Sequence, residues 1–202
     1  RIAIRAGSVV GTLHHPLRIA EEWALVDNIS NGRVGIAFAS GWQPNDFVLN
    51  PAAFADRPAT LARCIDDVRA LWRGQPRSYP GPLGHDVEVL TYPRPVQPEL
   101  PCWITSAGSV STFREAGRTG ANVLTHLLGQ SIEEVAAKIA AYRAAWAEAG
   151  HAGEGRVTLM LHTFLGDSEA AVRKAVRGPL IEYLRTSTNL LKEYAWSFPT
   201  FK

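Results

Sequence analysis

Apolar positions in this chain follow two periods that take turns. Residues 34–39, Val-Gly-Ile-Ala-Phe-Ala, run small or apolar without a charge, which suits a strand buried on both faces of a parallel sheet. The run stops abruptly at Ser40-Gly41-Trp42. Short runs at 2–10, 102–105, 121–125 and 157–164 predict further strands. Between them the spacing is helical. Leu17, Ala20, Ala24 and Leu25 line one face of a helix predicted over 17–29, begun at Pro16 and ended by Ser30-Asn31-Gly32. Leu61, Ile65, Val68, Leu71 and Trp72 do the same over 59–72, before Gly74. A third helix is expected over 109–119. Ser131 with Glu134 makes a capping box for a fourth, whose inward stripe is Ile132, Val135, Ile139, Tyr142 and Trp146. Asp167 is placed to cap a fifth, reaching about residue 183 or beyond. Residues 196–202 suggest no element.

Strict alternation of strand and helix argues for parallel strands joined by right-handed crossovers. Such units build either an open doubly wound sheet or part of a barrel, and periodicity alone does not choose. One stretch breaks the rhythm: residues 75–101 hold seven prolines around a short alternating segment, Val87-Glu88-Val89-Leu90. Because the alternation resumes afterwards, this is an excursion within one domain spanning 1–202, not a linker between two.

Composition narrows the picture. With 46% hydrophobic and 20% charged residues, the 202-residue chain reads as a soluble globular domain with a substantial core. A formal net charge of +2 and the lack of any lysine- or arginine-rich run argue against nucleic acid. No apolar run approaches the roughly 18 residues of a membrane span. Cys64 and Cys102 are unclustered, and no signal-peptide pattern is present, which together point to the cytoplasm. The chain opens in a strand pattern at Arg1-Ile2-Ala3-Ile4 without a methionine, so a fragment of a longer fold is expected.

Ligands in parallel α/β folds sit at the carboxyl ends of the strands, so residues just past each strand are the candidates. Trp42 either walls a planar ligand or caps the rim; Asp46 turns the same loop. Past the strand at 102–105, Ser106-Ala107-Gly108-Ser109 opens a helix whose free N–H groups, with the Ser109 and Thr112 hydroxyls, suit a phosphate. The alternative is that Ser109 is simply an N-cap. Arg57 is either a surface residue or a bidentate phosphate partner. His14, His15, His126 and His162 fall near strand ends, but no metal-ligand spacing appears, so no metal ligand is assigned. A neutral histidine donating to cofactor, substrate or backbone is preferred.

Taken in order, Gly7-Ser8-Val9-Val10, His14-His15-Pro16-Leu17-Arg18, Asn31-Gly32-Arg33-Val34-Gly35, Ala39-Ser40-Gly41-Trp42 and Asp46-Phe47 resemble the bacterial luciferase-like, flavin-dependent monooxygenases. The likeness continues through Ser106-Ala107-Gly108-Ser109 and Thr125-His126 to Leu161-His162-Thr163-Phe164, nearly the whole chain. The wording Ala-Ser-Gly-Trp-x-Pro-Asn-Asp-Phe and Thr-His-Leu-Leu-Gly-Gln is most similar to the subgroup associated with polyketide and nonribosomal peptide assembly lines. The resemblance implies an α/β fold, a (β/α)8 TIM barrel with an insertion. Here it would be incomplete, lacking the first two strands and the last, since a whole barrel needs roughly 250 residues.

The resemblance also implies FMN at the strands' carboxyl ends. By it, Gly7 and Ser8 fall at a non-prolyl cis peptide beneath the isoalloxazine, and Ser40 and Trp42 on a flavin-contacting loop. Arg57 matches a phosphate-binding arginine, Gly108, Ser109 and Thr112 the phosphate cradle, and Thr125 and His126 the flavin mouth. His126 and His14 are the catalytic candidates. Ser40 stands where the luciferases have arginine, so one phosphate charge partner is missing.

The implied activity is oxygenation: reduced FMN from a partner flavin reductase reacts with O2 to a C4a-peroxyflavin. That species oxygenates a small-molecule or carrier-protein-bound substrate, in a family whose members often form homodimers. Other readings stay open: an F420-dependent oxidoreductase of the same fold, a metal-assisted barrel hydrolase using the strand-end histidines, or a non-catalytic remnant.

Overall fold

The computed structural model describes residues 2–194. Its main sheet is parallel and runs β1 (Ile4–Val10), β2 (Val34–Ala39), β5 (Cys102–Thr105), β6 (Asn122–His126), β7 (Val157–Met160). Spatial order follows chain order without reversal. The helices α1 (Pro16–Ser30), α2 (Arg57–Trp72), α3 (Val110–Arg118) and α4 (Ile132–Glu148) all pack on one face. Ile19, Val68, Phe113 and Tyr142 from these helices share one core with Ile36, Phe38, Ile104 and Val123. A doubly wound sheet reverses its strand order and covers both faces. An unreversed, one-sided sheet is a segment of a (β/α) barrel, and the sheet curls as a half-barrel.

Strand alternation sorts side chains between the layers. Val34, Ile36 and Phe38 point to the helices and are fully buried, leaving Gly35, Ala37 and Ala39 on the concave face. There Ala37, Trp103 and Leu124 form a second, smaller cluster.

Several expectations shift in detail. The inward face of α1 is Ile19, Ala20, Ala24 and Asp27, and Leu25 is 51% exposed, a turn of the face away from the predicted stripe. The stripe of α2 lies inward as predicted. In α4 the capping box is present and Val135 and Tyr142 are buried, but Ile132, the first helical residue, is 69% exposed. The strand expected over 157–164 stops at Met160, opposite His126, the last residue of its partner β6. Ser168, not Asp167, caps the final helix α5 (Glu169–Tyr194), its Oγ accepting from the Ala171 N–H at 3.3 Å. The segment 196–202 lies outside the described residues.

The excursion folds as a two-stranded antiparallel hairpin, β3 (Arg77–Pro80) with β4 (Asp86–Val89), and then returns along the barrel's outside. β3 was not expected from the sequence, where prolines break its pattern. The return is pinned by Asp27, fully buried, whose carboxylate accepts from the Gln97 backbone N–H at 2.9 Å and Gln97 Nε2 at 2.7 Å. Trp72 Nε1 donates to the Gln97 carbonyl at 2.9 Å. Asp27 and Trp72 lie near the ends of α1 and α2, which run back antiparallel to the strands. Residues 91–101 therefore cross the amino-terminal end of the sheet and leave the carboxyl end to the candidate site.

Candidate functional site

On the concave face, Gly7, Ala37 and Trp103 are successive register partners across β1, β2 and β5. The Gly7–Ser8 peptide is cis, and the β1–β2 pairing slips between Gly7 and Val9. A Cβ added at Gly7 would meet only Leu124 Cδ2, at 3.9 Å. These residues, with Leu124, make an apolar strip on the concave face, a shelf in which Ala37, Trp103 and Leu124 are themselves buried. At its upper edge the Ser8 and Thr105 hydroxyls are hydrogen-bonded at 2.7 Å.

His126 follows Leu124 by two residues on β6 and so shares its face. The Leu128 N–H donates to His126 Nδ1 at 3.1 Å, which puts the proton of the neutral ring on Nε2. The ring is half-buried, and burial lowers its pKa below the ordinary 6.5.

Beside the shelf, at the carboxyl ends of β2 and β5, opens a cleft of about 860 Å³. Ser40 and the α2 residues Pro58, Leu61 and Ile65 form one wall; residues 105–109 and the start of α3 form the floor. Gly129, Glu134 and Lys138 close the far side. Ser109 Oγ accepts from the Thr112 N–H at 3.4 Å and bonds Ser111 Oγ at 2.7 Å, so Ser109 is an N-cap and also lines the cleft. The first N–H groups of α3 have no partner within their helix and carry its positive dipole end. Thr105 lines the cleft while bonding Ser8, and so joins cleft to shelf.

The candidates named from sequence divide accordingly. Ser40, Gly108, Ser109 and Thr112 meet in the cleft. Gly7, Ser8 and His126 lie at the shelf. Thr125 is wholly buried, with Oγ1 accepting from Gln130 Nε2 at 3.2 Å, so its side chain faces the helix layer and not the mouth. Trp42 is 39% exposed in the loop past β2. Arg57 does not line the cleft: its guanidinium stacks over Phe54 at 4.4 Å and donates to the Phe54 carbonyl at 3.1 Å. His14 is exposed at the end of a short 3-10 turn over 11–13, His15 caps α1 through Nδ1, and His162 lies against Tyr183. Among the described residues no three His, Cys, Asp or Glu side chains gather as a metal site, and no helix is long and apolar enough to cross a membrane.

Other residues at the cleft and shelf escaped the sequence reading, Ser111, Ala37 and Leu124 among them, and three show why. Thr105 carried a signal, a hydroxyl on the last residue of a strand; Gln130 and Lys138 carried none, because helix and loop spacing does not say which side chains turn toward a strand end.

Fold and site together define a barrel-type α/β protein with a cleft at the strands' carboxyl ends. The chain belongs to the luciferase-like monooxygenase family, whose sequence profile matches residues 1–197. It is 28% identical over 171 residues to the oxygenase component of the flavin-dependent trigonelline monooxygenase of Acinetobacter baylyi, covering 83% of this chain and 47% of that protein. It is 32% identical over 110 residues to an F420-dependent glucose-6-phosphate dehydrogenase of Amycolatopsis mediterranei, covering 53% of this chain and 32% of that protein. Among solved structures, monooxygenase RslO1 from Streptomyces bottropensis superposes with a TM-score of 0.80 at 24% identity, over 100% of this chain and 61% of that one. The oxygenating constituent of 3,6-diketocamphane monooxygenase from Pseudomonas putida, solved with FMN, gives 0.77 at 15% identity, over 96% and 58%. The two structures bear on the fold alone. The chain spans about half or less of the length of these curated relatives.

Proposed function

We propose that this chain carries the flavin site of an FMN-dependent monooxygenase that oxygenates an organic substrate with O2. The observation that carries the reading is the continuity of apolar shelf and polar cleft through Thr105. An isoalloxazine needs an apolar bed, and its ribityl phosphate needs N–H and hydroxyl donors a ring's length away. The donor set fits: Ser109, Ser111 and Thr112 hydroxyls with the α3 N-terminus for the phosphate, Gly7, Ala37 and Leu124 for the ring. Bound reduced FMN supplies the oxygen-activating chemistry. The chain's own part is to seat the ring, keep water from its face with the shelf, and hold a proton at His126 Nε2 toward the same side. Reduced FMN would come from a partner flavin reductase. The substrate class proposed is a small molecule or a carrier-protein-bound intermediate of natural-product assembly, in a cytoplasmic protein that pairs as a homodimer.

Likeness to an F420-dependent dehydrogenase supports a second reading, hydride transfer to or from F420 in the same site. Titration with FMN, followed by turnover of reduced FMN and O2 with carrier-bound acyl substrates, tests the first. Saturable FMN binding and oxygen-dependent product are expected. Absence of FMN binding overturns it, and oxygen-independent turnover with F420 selects the second.

A further inference from the structure

We infer that Lys138 is the cationic ligand of the phosphate seated in this cleft, an inference that rests on the flavin-nucleotide reading above. Among the described residues it is the only lysine or arginine on the cleft wall. Neither Ser40 nor Arg57, which is stacked on Phe54, brings a charge there.

Its placement is built. Lys138 is half-buried on α4, and its Nζ donates to Gln130 Oε1 at 2.6 Å. The Gln130 amide in turn donates to Thr125 Oγ1 at 3.2 Å and to the His126 carbonyl. The ammonium is therefore tethered to the carboxyl end of β6 through a neutral side chain. An ammonium has three protons to donate, and this tether occupies one.

Neither carboxylate on the cleft wall is ion-paired with Lys138, although Glu134 stands one turn before it on α4. Glu134 accepts from the Ser131 N–H at 2.7 Å in the α4 capping box, and Glu115 pairs with Arg118 at 2.5 Å. Lys138 enters none of the ion pairs found among the described residues. It shares the cleft with the positive end of the α3 dipole, so two positive features face one space. An anion between them turns that repulsion into two attractions, and a phosphate monoester, with oxygens enough for both, matches the hydroxyls of Ser109, Ser111 and Thr112 as well.

The test titrates the 202-residue chain with FMN and with riboflavin, following flavin fluorescence, and with inorganic phosphate, for the parent, K138Q and K138R. K138Q is expected to weaken FMN about tenfold or more while leaving riboflavin unchanged, with K138R recovering most of the loss. Equal FMN affinity in K138Q and parent, or equal losses for both flavins, overturns the Lys138 assignment and leaves the flavin reading standing. If the parent binds neither flavin, the flavin reading falls and phosphate decides: Lys138-dependent phosphate binding keeps the assignment, and phosphate binding that is absent or unchanged in K138Q overturns it.

Discussion

Ser8 and Thr105 share a 2.7 Å hydrogen bond although their strands are not neighbours: β2 lies between them. The contact is feasible because β2 presents only Gly35, Ala37 and Ala39 to the concave face, so two short hydroxyl side chains can meet above it. The bond ties the edge of the shelf to the cleft. T105V keeps the volume and removes the hydroxyl, and should cost about 0.5–1 kcal/mol for a partly solvated neutral pair. A double-mutant cycle with S8A in urea should return a coupling of similar size; zero coupling would mean that the two hydroxyls act separately.

At the phosphate end, the Ser109 and Thr112 substitutions act differently on the fold. S109A removes the N-cap of α3 and should cost about 1 kcal/mol of stability. T112A leaves that cap in place, since Ser109 accepts from the backbone of residue 112. If both hydroxyls reach the phosphate, the pair of substitutions weakens FMN binding several-fold more than riboflavin binding by calorimetric titration. Parallel losses for the two flavins would sink the cradle.

Sequence pattern carried the fold further than the site. Strand runs such as 34–39 and the α2 stripe are long and regular, so the alternation could be read directly. On α1 the expected Ala20 and Ala24 do lie inward, but Leu25 is exposed and Ile19 and Asp27 complete the face, because apolarity alone does not tell a large surface side chain from a core one. Choosing barrel over doubly wound sheet required strand order, which periodicity does not encode. In the site, glycine and hydroxyl residues past strand ends were visible. Thr125 and His126 are both expected at the flavin mouth, yet a strand's period of two puts these neighbours on opposite faces, and only His126 stands there. Lys138 was invisible because its role depends on where α4 crosses β6.

One buried carboxylate, that of Asp27, is among the groups that pin the excursion's return. Q97A deletes the Nε2 donor and leaves Asp27, at 0% exposure, with fewer partners. Losing a hydrogen bond to a buried charge should cost about 2–3 kcal/mol in urea denaturation. Because residues 91–101 cross the opposite end of the sheet, FMN affinity of the folded protein should stay unchanged. A binding loss matching the stability loss would show that the two ends are coupled.

Cys64 and Cys102 are core residues, not nucleophiles. Burial, the larger cause in each, pushes both thiols up to about 12. At pH 8 both should resist a thiol reagent in the native protein and react promptly in urea. The same shifts set an alkaline limit. The unfolded thiols ionise near the ordinary 9.0, the folded ones near 12, so this part of the stability is intact below 9 and is lost as pH rises between those values.

His126 sets the acidic counterpart. Burial holds its pKa below 6.5, and its Nδ1 is already accepting the Leu128 N–H, so a second proton would have to enter there and face that donor. Above 6.5 the ring is neutral in folded and unfolded chains alike, and stability does not respond to it. Below 6.5 the unfolded state takes up the proton first, so stability falls with pH until the folded ring is protonated too. H126N, whose side-chain oxygen can still accept from Leu128, removes the titrating group while keeping the hydrogen bond. Urea midpoints measured from pH 7.5 to 5 should therefore decline less steeply in H126N than in the parent. Superimposable slopes would show that the ring is solvated in the folded chain, and would remove the ground for a neutral Nε2–H donor beside the shelf.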